Sequence, residues 1–203
     1  MNPISYIDPA LLAAIEADDA AKVTAALAGG AHIEARNGSG QTPLLIATRG
    51  QFTAAARTLV EAGADVNAQD DIYDSPFLYA GASGATEIVK LCMQSGADYT
   101  VFNRYGGSAL IPACERGHVA TVATLLEDPD FPVDHINRLG WTGLLEAIIL
   151  SDGGAPHIKI VSMLIAAGAD VNLADKDGTS PLAHARQKNQ KEIVQLLEQA
   201  GAR

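Results

Sequence analysis

Cysteine is almost missing from this chain of 203 residues: only Cys92 and Cys114 occur. A single possible pair makes no disulfide framework, so a reducing compartment, the cytoplasm, is the simpler expectation. Aromatic residues are scarce at 5%, while Ala, Leu and Gly are abundant, which suits closely stacked helices better than a bulky central core. Basic residues are outnumbered, 14 Lys and Arg against 24 Asp and Glu, for a formal charge of −10. So acidic a chain repels a phosphate backbone, which argues against nucleic acid as a partner. No apolar run reaches the length of a membrane span, so membrane insertion is not expected. Residues 1–9 have neither the basic start nor the apolar stretch of a signal peptide.

An internal repeat is present. Thr42-Pro43-Leu44-Leu45-Ile46-Ala47 returns as Ser75 to Ala80, Ser108 to Ala113, Thr142 to Ala147 and Ser180 to Ala185. A degenerate first copy begins at Pro9, and the successive steps are 33, 33, 33, 34 and 38 residues. A second motif keeps the phase: Gly30-Ala31-His32-Ile33, Gly63-Ala64-Asp65-Val66, Gly96-Ala97-Asp98-Tyr99 and Gly168-Ala169-Asp170-Val171.

Each recurring residue has a physical task. Thr42, Ser75, Thr142 and Ser180 can cap a helix N-terminus with a hydroxyl. Pro43, Pro76 and Pro181 follow at the first helical position, where a missing N–H is harmless. Ala47, Ala80, Ala113, Ala147 and Ala185 leave room for a neighbouring helix. The glycines at helix ends favour a left-handed backbone. An Asx residue followed three later by glycine, as in Asn37 to Gly40, Asn137 to Gly140 and Asp175 to Gly178, marks a turn. Each unit therefore reads as a turn and two antiparallel helices.

In period and in the T-P-L-H-x-A signature the chain resembles the ankyrin repeat. The resemblance implies an all-α solenoid of about six helix-turn-helix units joined by β-turn tips. They run approximately over 4–36, 37–69, 70–102, 103–136, 137–174 and 175–203, as one domain. It departs from the pattern in several places. No unit has His at the fourth motif position, and Tyr73 replaces the turn glycine. Asp128-Pro129-Asp130-Phe131-Pro132 replaces Gly-Ala-Asp, and a loop is inserted around residues 151–156. Weaker coupling is expected around residues 127–156 on that account. Polar outer faces on the first and last units are expected to cap a monomeric array.

Catalytic and metal chemistry find little support. No phosphate-binding loop occurs, and the five histidines are scattered over different units. Asp70, Asp71 and Asp74, and Asp128, Asp130 and Asp134, lack the ligand order of a calcium loop. Cys92 falls in phase with Leu59 and Leu125 and reads as a core residue; Cys114 falls in a semi-buried slot. No cofactor is expected, and the chain is read as no enzyme. The alternative is a cryptic enzyme or metal-dependent regulator within the array.

The resemblance implies binding of a protein partner, as adaptor or inhibitor, through the concave face of turn tips and first helices. Positions that vary between units are then the informative ones. Ile72, Tyr105 and Leu139 share one tip position, with Trp141 beside them. Arg104, Arg138 and Lys176 flank that strip, and Arg116 and Glu115 end a first helix facing the same groove. Trp, Tyr and Arg are the types enriched in binding hot spots. The basic row leads to the expectation of an acidic partner surface.

Overall fold

The computed structural model describes residues 6–203. The first two residues of the expected 4–36 unit, and much of the segment weighed as a signal peptide, lie outside the described residues. Helices begin where the hydroxyl caps stand. Thr42, Ser75, Thr142 and Ser180 accept the backbone N–H three residues on, at 3.2 to 3.3 Å. The helices they open are α3 (Pro43–Arg49), α5 (Pro76–Ser83), α9 (Gly143–Ile149) and α11 (Pro181–Gln187). In α1 (Pro9–Glu16) the cap is Asp8, one residue earlier than the alignment of Pro9 with Thr42 implies. Ser108 caps nothing: its buried Oγ has no hydrogen-bond partner, and α7 (Leu110–Glu115) is the shortest helix among those described.

A left-handed residue ends each first helix and a second helix follows. These are α2 (Ala20–Ala28), α4 (Thr53–Glu61), α6 (Thr86–Gln94), α8 (Val119–Leu125), α10 (Ala155–Ala166) and α12 (Lys191–Gln199). The described residues thus form six helix pairs and no strand. The chain divides into two compact units, one up to Arg104 and one from Tyr105 on. In the first, α1, α3 and α5 pack side by side and α2, α4 and α6 form the second row. In the other, α7, α9 and α11 make the inner row and α8, α10 and α12 the second.

Small residues permit this stacking. Ala47, Ala80, Ala113, Ala147 and Ala185 are fully buried. Leu44, Leu45, Leu59, Phe77 and Ile88 fill the first unit, and Leu110, Leu125, Leu144, Leu145 and Ile148 the other. Each such side chain contributes about 1.5–3 kcal/mol by leaving water. Gly143 stands where three other units have proline because α7 comes so close: a Cβ there would lie 3.2 Å from Cys114 Sγ. Cys114 is therefore fully buried, deeper than the semi-buried slot expected, and burial pushes its thiol up. Cys92 is equally buried, and the same cause pushes its thiol up to about 12. Neither sulfur is a nucleophile at neutral pH, because the thiolate is the reactive form.

The loops after the second helices are tied from one helix pair to the next. Glu34 Oε1 accepts the Asp65 N–H and Asn67 Oδ1 the Asp98 N–H, both at 2.8 Å. Asp134 accepts the Asp170 N–H at 3.1 Å, and Asn172 Oδ1 the Arg203 N–H at 2.9 Å.

The insertion is divided between the turn and α10 and is hydrogen-bonded to the neighbouring helix pairs. Left-handed Gly153 lies eleven residues after the Thr142 cap, whereas Gln51 lies nine after Thr42. Two of the five extra residues therefore sit in the turn. The other three lengthen α10, which has 12 residues against nine in α4. Ser151 is buried, and Gln190 Nε2 donates to the carbonyls of Ile148 (3.0 Å) and Ser151 (3.3 Å). Lys188 Nζ donates to the Ile149 carbonyl at 2.7 Å. The first turn of α10 reaches back to α7, with His157 Nε2 2.9 Å from the Glu115 carbonyl.

Candidate protein-binding face

The tips at Asn37, Asp70, Asn137 and Asp175 are built by one device, an Asx side chain that closes its own turn. Asn137 Oδ1 accepts the N–H groups of Leu139 (2.9 Å) and Trp141 (3.1 Å), and its own N–H donates to the Trp141 carbonyl at 3.0 Å. Asp175 Oδ1 does the same for Asp177 and Thr179, and Asp70 Oδ1 for Ile72 and Asp74. Left-handed Gly140, with φ of 87°, completes the Asn137 turn. A Cβ on it would lie 2.4 Å from Lys176 Cγ, so the aliphatic stem of Lys176 lies across bare backbone. The Arg138 stem lies across Gly106 in the same way.

These contacts bring most of the expected site residues together within the C-terminal unit. The Arg138 N–H donates to the Tyr105 carbonyl at 2.8 Å, and Lys176 Nζ donates to the Arg138 carbonyl. Tyr105 is 55% exposed and Leu139 52%, while Trp141 is half-buried. Arg116 caps the C-terminus of α7 and is exposed. Ile72 and Arg104 belong to the N-terminal unit. Ile72 is exposed on the Asp70 turn, whose fourth residue, Tyr73, holds φ at 63° in place of glycine.

The basic residues are not a simple positive row. Arg104 Nη1 faces the Asp74 carboxylate at 3.6 Å, a residue 30 positions away that Arg49 also holds at 2.9 Å. Burial raises the Asp74 carboxyl against the lowering effect of Arg49 and Arg104. Lys176 spends its ammonium on a backbone carbonyl. Both cations therefore serve the turns as well as the surface.

Sequence reasoning missed Glu146. It lies on α9 at the fifth motif position, only 6% exposed, and Asn137 Nδ2 donates to its Oε1 at 2.7 Å. Burial, reinforced by the Glu115 carboxylate of α7, raises its carboxyl to about 7, opposed by the Asn137 hydrogen bond and by Arg116. The signal was available: this position holds Ile46, Tyr79, Pro112, Glu146 and His184, so it varies as the tips do. His184 Nε2 meets Asp175 Oδ2 at 2.7 Å in the same geometry, and that contact holds the Asp175 carboxyl below its ordinary range. Gln41 plays this part for Asn37, and Arg49 for Asp70.

Glu146 carries a stability penalty with a definite sign. Its folded-state pKa lies above its ordinary 4.5, so the folded form holds the proton between pH about 4.5 and about 7. Stability is fully present below that window and is lost as pH rises through it. Glu146→Gln, which keeps an acceptor for Asn137, is expected to raise Tm by about 2–4 °C at pH 8, roughly 1 kcal/mol for a domain of this size. At pH 4.5 the two proteins should melt together. Thermal melts at the two pH values check both halves.

The ankyrin-repeat family profile matches residues 39–71. The Escherichia coli K12 putative ankyrin repeat protein YahD is 39% identical over 191 residues, covering 94% of this chain and 95% of that one. An ankyrin repeat domain from Acinetobacter baumannii AYE is 51% identical with a TM-score of 0.90, over 95% of this chain and 98% of that one. The ankyrin repeat domain of Bcl-3, of the IkappaB protein family, is 25% identical with a TM-score of 0.84, over 97% of this chain and 87% of the other. The chain belongs to the ankyrin-repeat family, and its fold is the all-α ankyrin-repeat solenoid. That family is in general a non-catalytic scaffold for protein–protein interaction. No helix among the described residues is long and apolar enough to cross a membrane.

Proposed function

We propose that this protein is a monomeric adaptor or inhibitor that grips a segment of a partner protein with the tips and inner helices of its C-terminal unit. The observation that carries this reading is the tip pair Tyr105 and Leu139, large apolar side chains left half in water, with Leu139 held on the Asn137 Asx turn and Trp141 adjoining. Fixed, solvent-exposed aromatic and apolar groups lose little conformational freedom when a partner covers them, which favours affinity. Arg138 and Arg116 supply polar contacts at the rim, where charge sets approach rate more than strength. Ile72 and Arg104 offer a similar tip in the N-terminal unit.

The test is site-specific photocrosslinking in the source cells. A photoreactive residue at Leu139 is expected to capture a discrete partner, and one at exposed Ser162 on α10 is not. Capture from Ser162 alone would place binding on the second-helix row and end this reading.

A further inference from the structure

The fourth residue of each tip turn is left-handed. At four of the five described tips it is glycine: Gly40, Gly106, Gly140 and Gly178, with φ of 70 to 87°. At the remaining tip it is Tyr73, at 63°. A residue with a Cβ is strained in this region, a bulky one above all. The turn closes nonetheless. The Tyr73 N–H donates to the Asp70 carbonyl at 3.0 Å, and Gln69 Nε2 donates to the Tyr73 carbonyl at 2.9 Å. Elsewhere the next tip would block a side chain: a Cβ on Gly40, Gly106 or Gly140 would meet Asp71, Arg138 or Lys176 at 3.0 Å or less. Beyond Tyr73 the residue at that register is Arg104, and its guanidinium faces the Asp74 carboxylate at 3.6 Å instead. The side chain so admitted is not put to use inside the fold. Tyr73 is 60% exposed, more than Tyr105 or Leu139, and Ile72 beside it is exposed as well.

We propose that Tyr73 is an anchor for the partner protein, entering with Ile72 an apolar pocket that has a basic rim. A backbone outlier that internal packing does not repay persists where a function uses it. The ring stands on a fixed backbone with only two side-chain torsions left to lose, so little freedom is given up when a partner covers it. Tyrosine is among the residue types that carry most of the binding free energy when they fill a pocket. The charge of the rim follows from the turn itself. Asp70 is paired with Arg49, and Asp74 with Arg49 and Arg104. Exposed Asp71 has no ion pair among the described residues, so the tip keeps one uncompensated carboxylate beside its apolar knob. A cation at the pocket edge complements it. The anchor rests on the reading that this protein binds a partner through its tips, and it adds a specificity-determining contact in the N-terminal unit.

The experiment compares Tyr73→Gly, which relieves the left-handed strain, with Tyr73→Ala, which keeps it. In thermal melts of the free protein, Tyr73→Gly is expected to rise about 2–4 °C above wild type and Tyr73→Ala to melt no higher than wild type. The binding probe is the protein captured from Leu139. Both variants should bind it at least tenfold more weakly, so Tyr73→Gly gains stability and loses affinity. A residue that served only the turn would not move the two readouts in opposite directions. Asp71→Asn should slow association at low salt and match wild type at high salt. A photoreactive residue in place of Tyr73 should crosslink to that same protein, at apolar residues with a Lys or Arg adjoining. Wild-type affinity in Tyr73→Gly, or a melt at or below wild type, would overturn the anchor. Capture from Leu139 with none from position 73 defeats the anchor and leaves the groove reading standing, whereas capture from Ser162 alone defeats both.

Discussion

Replacing Tyr105 and Trp141 together by alanine is expected to weaken partner binding at least tenfold. Truncating a central aromatic that a partner shields from water costs about 2 kcal/mol or more, whereas rim contacts cost little. A tenfold loss needs only about 1.4 kcal/mol. Tyr105 is exposed, and Trp141 enters its turn through backbone bonds to Asn137 that alanine keeps. The variant should therefore melt close to wild type, and calorimetric titration against the captured partner separates lost affinity from lost fold. Arg138→Glu is expected to act on the association rate, because Arg138 is exposed at the rim. The same double alanine variant binding as tightly as wild type would remove the tips from the interface.

The largest stability effect is expected in the other unit. Phe77 is 2% exposed, the largest of the fully packed side chains, with its ring centre 5.8 Å from that of Tyr99. Its backbone N–H also ties α5 to the preceding loop through the Val66 carbonyl at 3.2 Å. Phe77→Ala should cost about 3–5 kcal/mol, the transfer term plus a cavity that stacked helices cannot collapse. For a chain of this length that lowers Tm by roughly 6–20 °C. Since repeat interfaces are nearest-neighbour terms, hydrogen exchange should quicken first in α3 to α6. A Tm within 2 °C of wild type, or faster exchange in α11 and α12 ahead of α5, would contradict this.

The fold was legible because its local signals repeat. Caps at Thr42, Ser75, Thr142 and Ser180, and small residues at Ala47 and its equivalents, act within one unit and can be aligned. What could not be read depends on distance across units or on depth. The ion pair of Arg104 with Asp74 joins residues 30 apart, so a row that reads as free positive charge is partly neutralised. Glu146 stands inside a helix motif and reads as a surface carboxylate until α7 is packed over it. The insertion looked like one loop because Gly153, Gly154 and Pro156 are turn residues. In the structure three of its residues go into α10, and Gln190 of the following pair buries the rest. Tip residues Tyr105, Leu139 and Trp141 were found by asking which positions vary, and the same question put to the first helices would have found Glu146.

Hydrogen-exchange mass spectrometry of the captured complex tests the central claim most directly. Bound partner is predicted to slow exchange in the turns at residues 105–107 and 138–141 and in α9, and to leave α8, α10 and α12 as in the free protein. Protection confined to α8, α10 and α12, with both turns unchanged, would contradict it.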